Sequence, residues 1–224
     1  MVEKEIKKAN EPFRFYTRLN LSELTGLKAS NLEELLECLK KVPESAIYHH
    51  THRFLQQHQY LSPEPPNDFA YWVSNIIGEK ELGERLASID TIQFNDINGL
   101  RQAFIFTIED YLKEKPGARS RYADKGDALY FIKSLSFVFP TNYIAHDLVE
   151  FLDIFRKITI DSVYFHIFES RLRLAKGTND FSNWIKDSIG DNKLAADISM
   201  LDPYSYTIEE LKDKVIRLIE RRIK

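Results

Sequence analysis

Cysteine is nearly missing from this chain: among 224 residues there is one, Cys38. A disulfide within the chain is therefore excluded, and such usage fits the reducing cytoplasm, where we expect the protein to reside. Basic residues are not in excess, since the formal net charge is −3, and this argues against a general nucleic-acid binder. No apolar run approaches the roughly 18 residues of a membrane span. The opening Met1-Val2-Glu3-Lys4-Glu5-Ile6-Lys7-Lys8 is charged and lacks the apolar core of a secretory signal, so no membrane partner is expected. Also missing are a glycine-rich phosphate loop, Cys-x-x-Cys, Gly-x-Ser-x-Gly and His-Glu-x-x-His. Their absence counts against nucleotide hydrolysis, structural zinc and serine-hydrolase chemistry.

What is present is a repeat. Asn67-Asp68-Phe69-Ala70-Tyr71-Trp72 returns as Asn179-Asp180-Phe181-Ser182-Asn183-Trp184, and each copy runs on to a glycine, Gly78 or Gly190. Upstream, Glu44-Ser45 matches Asp161-Ser162 and His49 falls on His166. Further back, Leu32, Leu36 and Val42 fall on Leu148, Leu152 and Ile158. The chain therefore reads as one globular domain over 1–224 made of two related halves: a first repeat at 13–114, a polar connector at 115–127 and a second repeat at 128–224. A half of about a hundred residues is marginal alone, so the halves are expected to pack pseudo-symmetrically.

Periodicity supplies the elements. Phe13, Phe15, Thr17 and Leu19 alternate with Arg14, Tyr16 and Arg18, which suggests a short half-buried strand. Residues 128–139 are apolar and aromatic enough for its counterpart, and the two could pair. Ser30-Asn31-Leu32-Glu33 has the form of a capping box, opening a helix through Leu32, Leu35, Leu36 and Leu39. A histidine helix at about 44–60 follows, then short helices after Asn67 and near Leu82, and a long one from Asn95 or Asp96 to Leu112. The second half repeats these, with helices at about 143–158, from Asp161, and near 181–189, 191–201 and 207–223. The expected fold class is mainly α: internally duplicated helical repeats of about five helices each, with at most one short strand per half.

Two constellations could carry chemistry. Four of the six histidines lie between 49 and 58, and His49 and His52, three apart on a helix, could grip one divalent metal ion with Asp68 as a third ligand. Glu64 and His166 are further candidates, while His58 lies round the helix from His52. The blander expectation makes His49 and His166 half-buried residues bonded to a carboxylate or backbone oxygen, with His50 and His58 at the surface. The second constellation is the matched set Ser45, His49, Asn67, Asp68 and Ser162, His166, Asn179, Asp180, which could line a ligand site. Helix capping is the ordinary role of each Asn-Asp pair. Trp72 with Phe69, and Trp184 with Phe181, read as core stripes, and Arg217, Arg221, Arg222 and Lys224 as cations complementing a helix end.

Ser-x-x-x-His, Pro-Pro-Asn-Asp-Phe-Ala-Tyr-Trp, the later Asn-Asp-Phe-Ser-x-Trp and Leu201-Asp202-Pro203-Tyr204 with Thr207-Ile208-Glu209-Glu210-Leu211 resemble an uncharacterised prokaryotic family. It is known as a domain of unknown function, number five-seven-five-two. The likeness spans about residues 13–220, with Lys212 where arginine is expected. It implies a stand-alone, soluble, mainly helical module and supplies no activity or catalytic residue. The leading expectation is thus a non-catalytic module that binds a protein partner or small ligand between its halves. The alternative is a metal-dependent, hydrolase-like enzyme using His49, His52 and Asp68.

Overall fold

The computed structural model describes residues 7–53, 66–94, 96–170, 178–201 and 206–223. His58, Glu64, Asn95, the motif Asp202-Pro203-Tyr204 and Lys224 lie outside them. Two strands dominate the path of the chain: β1, Lys8–Ala29, and β2, Leu129–Asp147. They form a two-stranded antiparallel sheet. The strand candidates 13–19 and 128–139 each lie within one of the paired strands, but the elements are far longer, and the Thr25–Phe131 and Thr141–Phe15 bonds set the two segments past each other along the sheet. Helices hold 61% of the structure and the sheet 22%, so the expectation of a mainly helical repeat is corrected to a helix-dominated mixed α/β fold.

The physical reason lies in exposure. Only Phe13 and Phe15 in β1 and Phe131, Ser134, Ala145 and Asp147 in β2 are buried apart from the terminal Ala29. Between them both faces meet solvent, and no period-two pattern marks such residues as strand. Backbone pairing, not one buried face, carries the middle of each strand. Pro140 sits inside β2, a position open to proline where a strand edge is unpaired.

Two compact units result: residues 20–135, the central unit, and residues 1–19 with 136–224, the terminal unit. Each strand contributes to both. In the central unit α1 (Leu32–Lys41) buries Leu32, Leu35, Leu36 and Leu39 and packs with the long α5 (Ile97–Glu114). Its N-cap is Asn31, which accepts from the Glu34 amide at 2.9 Å, while the Glu34 carboxylate takes the Ser30 amide at 2.7 Å. The expected capping box is real in kind but displaced by one residue. Between α1 and α5 come α2 (Glu44–Tyr48), continued by a π-helical turn His49–Arg53, α3 (Asp68–Trp72), continued by Val73–Ile77, and α4 (Lys80–Ala87). Gly78 ends α3 in the left-handed region at φ 77°, a backbone state nearly free for glycine alone.

The terminal unit repeats the plan with α6 (Leu148–Lys157), α7 (Ile160–Tyr164, continued by Phe165–Glu169), α8 (Asp180–Trp184, continued by Ile185–Ile189), α9 (Asn192–Ser199) and α10 (Ile208–Ile223). The helix expected at 143–158 begins only at Leu148, because β2 runs to Asp147, which caps α6 by accepting from the Val149 and Glu150 amides. In this unit α10 packs against α6, α7 and α9. Each unit has its own apolar core, built around Phe69, Phe104 and Phe131 in one and Phe15, Phe151, Phe155 and Phe181 in the other.

Candidate functional site

The conserved geometry of the two halves is a histidine held between a carboxylate and a strand. In the central unit His50 is 2% exposed. Its Nδ1 lies 2.7 Å from Asp68 Oδ2, and its Nε2 accepts the backbone N–H of Ile132 in β2 at 3.0 Å. In the terminal unit His166, equally buried, sets Nδ1 2.8 Å from Asp180 Oδ2 and accepts the Tyr16 N–H of β1 on Nε2 at 2.9 Å. A backbone N–H can only donate, so Nε2 carries no proton and Nδ1–H donates to the carboxylate. Aromatic rings close the surroundings: Phe69 and Phe131 around His50, Phe13, Phe15 and Phe181 around His166.

The repeat is closer than this pair. Thr25 Oγ1 donates to the Phe131 carbonyl and Thr141 Oγ1 to the Phe15 carbonyl, both at 2.8 Å. Trp72 Nε1 donates to the Asp127 carbonyl and Trp184 Nε1 to the Glu11 carbonyl, both at 2.7 Å. Tyr48 stacks on His52 as Tyr164 stacks on Phe168. Along strands and histidine helices every equivalence is an offset of 116 residues, and this places His166 on His50, not on His49. The match of His49 with His166, and of Ser45 with Ser162, is corrected by one position. The structural counterpart of Ser162 is Ala46.

These equivalences decide where the nominated residues stand. His50, expected at the surface, is the buried clamp. His49 is buried with Nδ1 2.9 Å from Ser134 Oγ; burial, helped by repulsion from His50, pushes its pKa down to about 4. His52 is buried, stacks on Tyr48, and sets Nδ1 3.0 Å from Thr51 Oγ1; burial alone lowers its pKa to about 4. A general base is best poised near neutrality, so the Ser134–His49 pair is a poor nucleophile–base couple. Asp68 is committed to His50. His49, His52 and Asp68 thus turn to three different partners, and among the described residues no group of three or more His, Cys, Asp and Glu side chains could hold a metal ion.

The Asn-Asp pairs act as helix starts. Asn67 accepts from the Ala70 amide and donates to the Leu86 carbonyl, and Asn179 forms a reciprocal capping box with Ser182. Asp68 and Asp180 follow as first helical residues, where a carboxylate favours the positive helix end and also reaches the histidine. Ser162 donates to the Tyr16 carbonyl at 2.6 Å, so α7 holds both the N–H and C=O of Tyr16 with side chains one turn apart. Ser45 is half-buried. Phe69, Trp72, Phe181 and Trp184 are core, as expected. A cavity of about 390 Å³ in the terminal unit is lined by Lys7, Leu148, Ile189, Gly190, Asp191 and Arg222, none of them in the nominated set.

The family model described as a family of unknown function (DUF5752) matches residues 10–220. The chain belongs to this family. A solved structure described as OrfY from Thermoproteus tenax is similar at 30% identity and a TM-score of 0.78, over 96% of each chain. No curated protein matches. The DUF5752 fold thus has an experimental counterpart over nearly its full length. Among the described residues no helix is long and apolar enough to cross a membrane.

Sequence reasoning missed Ile132 and Tyr16, whose backbone amides the histidines hold. A backbone donor leaves no residue-type signal. His50 itself was legible in principle through Tyr48-x-x-x-His52 and Tyr164-x-x-x-Phe168, which align at an offset of 116.

Proposed function

We propose that this DUF5752 chain is a non-catalytic module that binds a protein partner through apolar side chains on its two strands. One observation carries the reading. Of the fifteen large apolar side chains exposed among the described residues, ten lie on β1 and β2. In the central unit they are Leu21, Leu24, Leu27, Tyr130 and Leu135; in the terminal unit they are Leu19, Phe137, Val138, Phe139 and Tyr143. Scattered exposed apolar residues are ordinary, but a concentration on one kind of element marks an interaction surface. Side chains set along extended strands suit a protein surface, whereas small ligands are enclosed by concave pockets. The side chains with chemical potential support the same reading, because His50 and His166 spend one ring nitrogen on a strand amide and the other on a helix carboxylate.

A photo-reactive benzoylphenylalanine placed at Val138 tests this. In native extract the reading expects a discrete protein adduct from position 138 and none from the same probe at Asp213, an exposed helix position. Absence of any adduct from Val138 would end it.

A further inference from the structure

The partner can be named for the terminal unit's segment of β2, and the inference rests on the binding reading above. Residues 136–145, Ser-Phe-Val-Phe-Pro-Thr-Asn-Tyr-Ile-Ala, contain no Asp, Glu, Lys or Arg. Within the unit, Leu19, Phe137, Val138, Phe139 and Tyr143 are 53%, 46%, 49%, 48% and 39% exposed. Phe137 and Phe139, two apart, project from one face of the strand, since successive side chains alternate. Val138 projects from the other face, and the remaining four side chains leave roughly 350 Å² open, taking about 150–250 Å² for a whole aromatic side chain and somewhat less for Leu.

We infer that this uncharged segment is the contact by which two copies of the chain associate, packing side chain against side chain. Three features select a second copy. First, a twofold contact sets each surface against itself, so any charge near the axis would face its own like charge; a run of ten uncharged residues avoids that repulsion. Second, about 350 Å² from each copy gives roughly 700 Å² of apolar burial, the apolar share of a small interface of about 1,200 Å², which suits association at micromolar concentration. Third, Pro140 lacks the N–H that edge-to-edge strand addition needs. The contact is therefore through side chains and not through an extended sheet.

Sedimentation velocity of the full chain over about 1–200 μM tests this, with melting temperature as the check on folding. Wild type is expected to move from 26.3 kDa toward twice that mass with rising concentration. Phe137→Ser/Phe139→Ser is expected to stay at the single-chain mass throughout with its melting temperature kept, and Tyr122→Ser, an exposed aromatic elsewhere, to associate like wild type. If the double variant does not fold, Tyr143→Lys, which sets like charges against each other across the twofold, is expected to weaken association at least tenfold. Wild type that remains a single chain at 200 μM overturns the inference, as does a folded double variant that associates normally. A single chain that still gives a Val138 adduct with another protein sinks the second-copy inference alone; a single chain with no adduct sinks the binding reading too.

Discussion

Replacing His50 with alanine removes an acceptor, a donor and a ring at once, and the cost can be worked from each. The Ile132 amide loses its acceptor in a half-buried position, worth about 1 kcal/mol at the low end of the range for an unsatisfied buried donor. Asp68 loses a hydrogen bond but is partly open to water, so about 1 kcal/mol is again appropriate. The space left among Phe69, Phe131 and His49 adds about 1–2 kcal/mol as a cavity. The sum is about 3–4 kcal/mol, a large part of the stability of an ordinary domain. With a urea slope of about 2–3 kcal/mol/M, the midpoint should fall by roughly 1–2 M in equilibrium unfolding followed by circular dichroism. Asp68→Asn should be partly redundant with it in a double-mutant cycle, since the two side chains share one hydrogen bond. His146→Ala is the control: that ring is exposed and bonded only to Glu150, and its loss should shift the midpoint by less than about 0.3 M. A His50→Ala shift as small as the control's would refute the clamp.

Other consequences follow from the same geometry. His49 and His52 have folded-state pKa values near 4, below the ordinary 6.5; their contribution is complete above about pH 6.5 and is lost as pH falls toward 4, by up to roughly 3 kcal/mol per ring. His52→Phe, the residue its counterpart Phe168 carries, should therefore flatten the melting temperature between pH 4.5 and 6.5; an unchanged slope would count against burial of a neutral ring. Ser162→Ala should cost about 1 kcal/mol in urea unfolding by leaving the Tyr16 carbonyl without that donor, and a neutral result would show water replaces it. In Gly83→Ala the new Cβ would meet Ser74 Cβ at 2.9 Å and run into Ser74 Oγ, so overpacking should lower stability by about 1–3 kcal/mol; a stabilised variant would contradict that close helix approach.

Much of this architecture was legible in the residues. Phe69-x-x-Trp72 and Phe181-x-x-Trp184 announced core helices, Asn67 and Asn179 announced caps, and the duplication was visible without a structure. The length of the strands was not, because alternation reports one buried face and most of β1 and β2 buries neither. The site was misread by one residue for a related reason. Glu44-Ser45 resembles Asp161-Ser162 at an offset of 117, whereas the helix and strand contacts obey 116, and the Asn-Asp-Phe repeats lie 112 apart. Local similarity of small polar residues outvoted the stacked aromatic pairs, although packing constrains the latter far more. Side chains that bond to backbone, as His50 and His166 do, carry no partner signature in sequence at all.

Nitrogen-15 spectra of the histidine rings at pH 7.5, assigned through His50→Ala and through His166→Asn, test the central claim most directly. The clamp requires both rings to carry the proton on Nδ1 and a bare, hydrogen-bonded Nε2. A proton on Nε2 of either ring would mean that its strand amide is not held, and the structural reading of the histidines would give way to a chemical one.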